Sequence, residues 1–366
     1  MKKSFSYLFI VSCLSISAHT NNLYAEQKNS AFIKNSGILK CFPEDTYTIK
    51  KGNPVQAHCE ASAVAFVNNM LIFANDKPIL KPYSPVFSIN FSNIFSPVAE
   101  QHITPHTHPN FMEPRKIEDF SVSLDNKYIF AATAFDWEKP EEARDYNGML
   151  IYWHANDFNN VKTMSVLDNG IENENIRSYL NSVVGHPYYK IEGLAILPNN
   201  KILLGIREKG ESYKNFSYTI EMISVTYQEK DDKIYLNNDF KLAYSFNNSK
   251  DFVSENVGLS SIEWDKYNDR LLLLTSYEDQ EENIGAYLWS LDRKDLENGN
   301  APVLIKDNSK PLNLINKAEG LTVLNDHEIF IINDDDRVIK NSVVNGVELT
   351  RKTNEAIYNI VEFQNN

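Results

Sequence analysis

The chain has 366 residues, 42% of them apolar, with a formal charge of −13. That is enough apolar material for one large all-β domain or two ordinary ones, and Tyr and Phe are plentiful, as strands prefer. The acidity argues against a nucleic-acid-binding face, which needs clustered Lys and Arg to neutralise phosphates.

The first residues read as a secretory signal. Lys2 and Lys3 form the charged start, Ser6–Ala18 the apolar stretch, and a cut is expected after Ala25. Export to a periplasmic or extracellular space follows. Ile10–Val11–Ser12–Cys13 also looks like a lipobox, with Cys13 as the anchor. No later stretch is long and apolar enough to span a membrane. Residues 26–36 read as a loose polar segment, and 37–366 as a single domain. After cleavage two cysteines remain, and an oxidising compartment makes a Cys41–Cys59 disulfide the expected pairing.

GILKCF at Gly37 and TYTIK at Thr46 read as short strands. Five similar hairpins follow: AVAFV–NNM–LIFAN, SVSL–DNK–YIFAA, LAIL–PNN–KILLG, SSIEW–DKYND–RLLLL and LTVL–NDH–EIFII. Asn, Asp and Pro sit where the chain must reverse. Third strands are expected at Val86, Gly148, Ser217, Gly285 and Val338, and fourth strands at Lys162, Phe240, Pro302 and Tyr358. Asp168–Val183 reads as an amphipathic helix in an insertion. Four-stranded units repeated about an axis predict an all-β fold, a single β-propeller of five or six blades. Pairing of residues 37–50 with the C-terminal strands would close the ring and leave no free edge.

Four of the five repeats open on a carboxylate, at Glu60, Glu118, Glu192 and Glu319. The fourth repeat breaks the pattern, with Asn256 and Val257 at the matching positions. In a propeller these positions converge at one mouth of the central channel. An acidic ring there needs a hard cation, Lys or Arg partners, or backbone N–H groups. The four glutamates are therefore candidate metal ligands, with calcium as the suited cofactor. Arg207, Lys209, Asp334, Arg337 and His186 lie in segments returning to the same end and are candidate ligand-binding residues. His106-x-His108 offers a second metal-like pairing. No nucleophile elbow, P-loop, zinc-protease helix or dinucleotide fingerprint is present.

KIEGLAILPNNKILLGIRE and KAEGLTVLNDHEIFIINDDDR are similar to repeats of exported bacterial propellers described as esterase-like activity of phytase, of the DUF3616 family and of the SdiA-regulated group. The opening Glu also resembles a metal ligand of gluconolactonase propellers, which implies Glu60, Glu192 and Glu319 as ligands. The clear Asn and Asp set of those lactonases is missing. The resulting expectation is an exported phytase-like propeller binding a cation or small molecule at an acidic mouth. One alternative is a calcium-dependent phosphoesterase or esterase, in which Arg207 and Lys209 hold phosphate. The other is a protein-binding platform anchored by Tyr188, Tyr189, Phe135 and Trp137.

Overall fold

A computed structural model describes residues 29–50, 52–114, 116–136, 148–279, 283–335, 342–344 and 347–364. The signal segment, Cys13, Trp137 and Arg337 lie outside the described residues.

Four four-stranded sheets and one seven-stranded sheet carry the chain, in the order of the five repeats. The innermost strands are Ala61–Val67, Ile117–Val122, Tyr188–Leu197, Gly258–Asp265 and Ala318–Val323. Each hairpin forms where the Asn- and Asp-rich turns were expected. Asn68–Asn69 and Asn199–Asn200 take positive φ at both turn residues, the backbone that lets two twisted strands reverse tightly. The strands are apolar on both faces because each sheet is covered on both sides.

Five apolar clusters lie between consecutive sheets. Ile72 and Phe120 belong to the cluster joining the first two sheets. Phe130 and Leu204 join the second and third, Leu203 and Leu273 the third and fourth. Leu272 and Ile331 join the fourth and fifth, and Phe330 and Phe73 bring the fifth back to the first. That closed cycle is a β-propeller.

The ring is sealed by the N-terminal strand Ala31–Lys40, which pairs antiparallel with the C-terminal strand Glu355–Phe363 from Ala31↔Phe363 to Lys40↔Glu355. The closing strand thus starts inside the stretch read as loose. Tyr47–Lys50 does not join it and pairs instead with Asn53–Gln56 in a separate hairpin. Cys41 and Cys59 form the expected disulfide, with Cα atoms 5.9 Å apart. Their backbone N–H groups donate to Asn354 and Thr353 carbonyls, fastening the entry of the first sheet to the closing strand.

The third sheet departs most from expectation. Asp168–Val183 is not one helix. Asn169 and Gly170 adopt positive φ and turn Ser165–Asp168 back into Ile171–Asn173, so helix begins only at Ile176, capped by Asn175. Ser165–Asp168 then pairs parallel with Lys233–Asn237, enlarging the sheet. No helix among the described residues is long and apolar enough to cross a membrane.

Candidate functional site: a charged mouth of the central channel

All five innermost strands are irregular at the same place. The register slips between Ala61 and Ala63, Ile117 and Asp119, Ile191 and Gly193, Leu259 and Ser261, and Ala318 and Gly320. A bulge sets two residues against one on the partner strand and re-aims a side chain. The bulged residues are therefore Ser62, Glu118, Glu192, Ser260 and Glu319. Three of the four repeat glutamates are equivalent by this register. Glu60 is not: it stands two residues before Ser62, and its N–H donates to Asn75 Oδ1 at 2.7 Å. The break in the fourth sheet falls at Ser260 rather than at Val257.

The glutamates do not face one another bare. Lys116, Lys190 and Lys317 stand two residues before Glu118, Glu192 and Glu319, and the extended backbone returns each lysine to the same side as its glutamate. Lys190 Nζ lies 3.4 Å from Glu118 and in contact with Glu192. Lys317 reaches Glu319 at 3.3 Å and Glu278 at 3.7 Å. Lys116 pairs with Asp136 at 2.6 Å. In the first sheet Glu60 occupies the lysine position, and Lys77 supplies the cation, 2.8 Å from Glu60 and touching Asp76.

The fourth sheet receives its cation from the third. Arg207 reaches across to Glu192 Oε2 at 3.0 Å and donates to the Ser260 and Ser276 hydroxyls at 2.9 Å each and to the Leu259 carbonyl at 3.3 Å. Space for it exists because residue 258 is Gly. A Cβ there would stand 2.9 Å from Arg207 Cγ and 2.7 Å from the Tyr218 ring.

Just inside the bulges comes a narrower layer, Ala63, Asp119, Gly193, Ser261 and Gly320. Asp119 is fully buried. Its carboxyl accepts from the N–H of Leu194 at 2.8 Å and of Ile262 at 3.3 Å, and from Ser261 Oγ at 3.1 Å. Deeper still, Ser121 Oγ donates to Glu263 at 3.0 Å. Both links run from the second sheet to the fourth, which are not neighbours, so they cross the axis.

Burial splits the titrations of the ring. Burial pushes Glu118 up to about 8, against the pull of Lys190, with the negative charges of Asp76 and Glu192 adding to the rise. Burial also opposes ionisation of Glu192, but Arg207 and Lys190 outweigh it and hold that carboxyl below its usual range. Asp76 is likewise held low: burial is outweighed by Lys77, Lys116 and Lys190. Burial raises Glu319. Glu118 thus holds its proton more tightly than Glu192 and Asp76 beside it.

Among the described residues, no three His, Cys, Asp or Glu side chains gather in a way that would hold a metal ion. The four glutamates already carry ammonium or guanidinium partners, so this donor set does not fit calcium. Of the candidate ligand-binding residues, Arg207 is buried in the ring, and Lys209 is bound to both oxygens of Glu221 at 2.7 Å within the third sheet. Asp334 is buried, its N–H donating to the Lys317 carbonyl. His186 lies in the bend between Ile176–Val184 and the third innermost strand. His106 stacks on Phe158 with ring centres 3.7 Å apart, and its Nε2 lies 2.9 Å from Ser88 Oγ. His108 caps a short helix. Tyr188, Tyr189 and Phe135 are buried and present no anchoring surface.

Lysines 77, 116, 190 and 317 escaped the reading of the sequence. The signal of the last three was present as KIE, KIE and KAE at residues 116–118, 190–192 and 317–319, while Lys77 stands in no such motif.

No family model matches the chain, those of the phytase-like and DUF3616 families included, and no curated protein matches it. Among solved structures it is similar to an α-L-arabinofuranosidase from Podospora anserina in complex with cellotriose, at 10% identity and a TM-score of 0.45, over 92% of this chain and 98% of that one. It is also similar to the catalytic domain of a Coprinopsis cinerea GH62 α-L-arabinofuranosidase, at 11% identity and 0.43, over 91% and 97%. A β-1,2-mannobiose phosphorylase from Listeria innocua gives 10% and 0.44, over 87% and 97%. The propeller assignment rests on the sheet order, the five clusters and the closing strand.

Proposed function

We propose that this chain is an exported five-bladed propeller, the seven-stranded sheet counting as one blade, that binds a small anionic molecule at the lysine-lined mouth. One observation carries the reading. At three of the four lysines the ammonium group lies outside its carboxylates: the side chains of Lys77, Lys116 and Lys190 are 44%, 24% and 17% exposed, against 15% for Glu60, 3% for Glu118 and 2% for Glu192, whereas at Lys317, 12% exposed, the outer group is Glu278 at 42%. At those three an approaching ligand meets a cation first. The carboxylates fix their positions, as preorganised donors require. A groove of about 610 Å³ opens beside Lys77, between the hairpin at Ile49 and Val55 and the segment at Ile79, with His58 and Glu60 on its wall. The Cys41–Cys59 disulfide supports an oxidising compartment.

The test is calorimetric titration of the purified chain with phenyl phosphate and with benzoate, beside metal analysis. Binding that weakens at least tenfold in Lys77→Met and Lys116→Met is the expected result. Stoichiometric calcium, or a melting temperature lowered by chelator, overturns it in favour of a cation site.

The split between Glu118 and Glu192 favours a second reading, ester or phosphoester hydrolysis. A protonated carboxyl beside an ionised one is the arrangement of a general acid and its partner. Turnover of p-nitrophenyl phosphate or acetate that is lost in Glu118→Gln supports it, and no turnover across such esters removes it.

A further inference from the structure

The face opposite the charged mouth carries a second cavity that the first site does not use. It lies between the third and fourth sheets, where the innermost strands end, and encloses about 400 Å³. Ligand pockets typically span about 300–1,000 Å³. Its accessible apolar surface is Leu242, with half-buried Pro198 and Ala243 beside it, over the buried side chains of Leu203, Leu296 and Trp264. Leu242, on the edge strand Lys241–Ser245, is 51% exposed.

The rim has the opposite sign to the molecule. Lys201, Lys241 and Arg293 line it against a single carboxylate, Glu297, in a chain of net charge −13. Arg293 is shared with Asp269 and lies over Trp264, its guanidinium 5.4 Å from the ring centre. Its Nε is buried and finds no hydrogen-bond acceptor among the described residues. Lys201 and Lys241 have no ion-pair partner among the described residues. Free ammonium groups beside an apolar wall are complementary to a head-and-tail molecule with a negative head.

We infer that this cavity is a binding site for a small amphipathic anion, an alkyl or aryl chain ending in a carboxylate or phosphate. The tail lies on Leu242, Ala243 and Pro198, and the head meets Lys201 and Lys241. The site is independent of the mouth.

Calorimetric titration of the full chain with decanoate, with decyl phosphate and with decyltrimethylammonium tests this. The expected result is one saturable site for at least one of the two anions and none for the cation; the two anions together tell which head group is preferred. Binding should weaken at least tenfold in Lys201→Ala/Lys241→Ala and also in Leu242→Ser, a surface change that leaves folding intact. It should be unchanged in Lys116→Met at the mouth. No saturable anion binding, equal binding of the cation, indifference to the two lysines, or loss on the mouth substitution would each overturn the inference.

Discussion

Glu118 shows how one side chain sets a measurable property of this protein. Its carboxyl is raised to about 8 by burial, and that of Glu263 likewise. A carboxyl raised in the folded state binds its proton more tightly there than in the unfolded chain. Its contribution to stability is complete below the ordinary value near 4.5 and is lost as pH rises toward 8. Glu192 and Asp76, held low, act in the other direction, but only where pH falls below the ordinary carboxylate range. The melting temperature should therefore decline between pH 5 and 8, and Glu118→Gln should flatten that decline. An equal slope in both proteins would contradict the assignment. Arg207 offers a second test. Replacing it by Met leaves Glu192, Ser260 and Ser276 without their shared donor. Removing one partner of a buried pair costs about 3–5 kcal/mol, read as a lower midpoint in urea. Arg207→Met/Glu192→Gln should recover part of that loss.

At the scale of strands and turns, the bulge explains both what the sequence showed and what it concealed. The hairpins were legible because apolar runs and Asn-rich turns are local signals, and Asn68–Asn69 and Asn199–Asn200 adopt the backbone their residue type favours. Glu118, Glu192 and Glu319 were legible because they recur before the same apolar run. Glu60 was misread as their equivalent because a bulge moves the register without marking the sequence. Ser62, the true counterpart, carries no charge to draw attention; its hydroxyl donates to the Ile117 carbonyl at 2.6 Å. The cation of the fourth sheet could not be found locally at all, since Arg207 arrives from another sheet.

The layer inside the bulges can be probed at Gly320. A Cβ there would stand 2.8 Å from the Ser62 carbonyl oxygen and 3.2 Å from the Val64 nitrogen. Both are backbone atoms and cannot swing aside. Gly320→Ala should cost about 1–3 kcal/mol, seen as a lower melting temperature. The disulfide acts at the same scale. With its cysteines 18 positions apart, chain-entropy arguments give about 3 kcal/mol. Cys41→Ala/Cys59→Ala should lose a comparable amount, and denaturant unfolding will measure it.

For the whole molecule, closure depends on one strand from each end of the chain. Without residues 31–40, Glu355–Phe363 would present an unpaired edge and a bared apolar cluster. That truncation should abolish the single cooperative transition and yield aggregate on size-exclusion chromatography. A monomer with unchanged melting would show that closure is dispensable. The fold was foreseeable from repetition, but the sign of its mouth was not. Net charge and recurring Glu suggested an acidic opening, whereas three of the recurring glutamates lie beneath lysines that are more exposed than they are. Composition counts charges without regard to depth, and depth decides which of them a ligand meets.

The Asp119 carboxyl, gripped from the second, third and fourth sheets, has a consequence for traffic. With Ser121 bonded to Glu263 beneath it, side chains meet across the axis at two depths. A ligand of the proposed mouth site would then enter and leave by one doorway, and the proposed opposite site would be filled from its own side. Two ligands could then occupy the molecule at once without competing for a route.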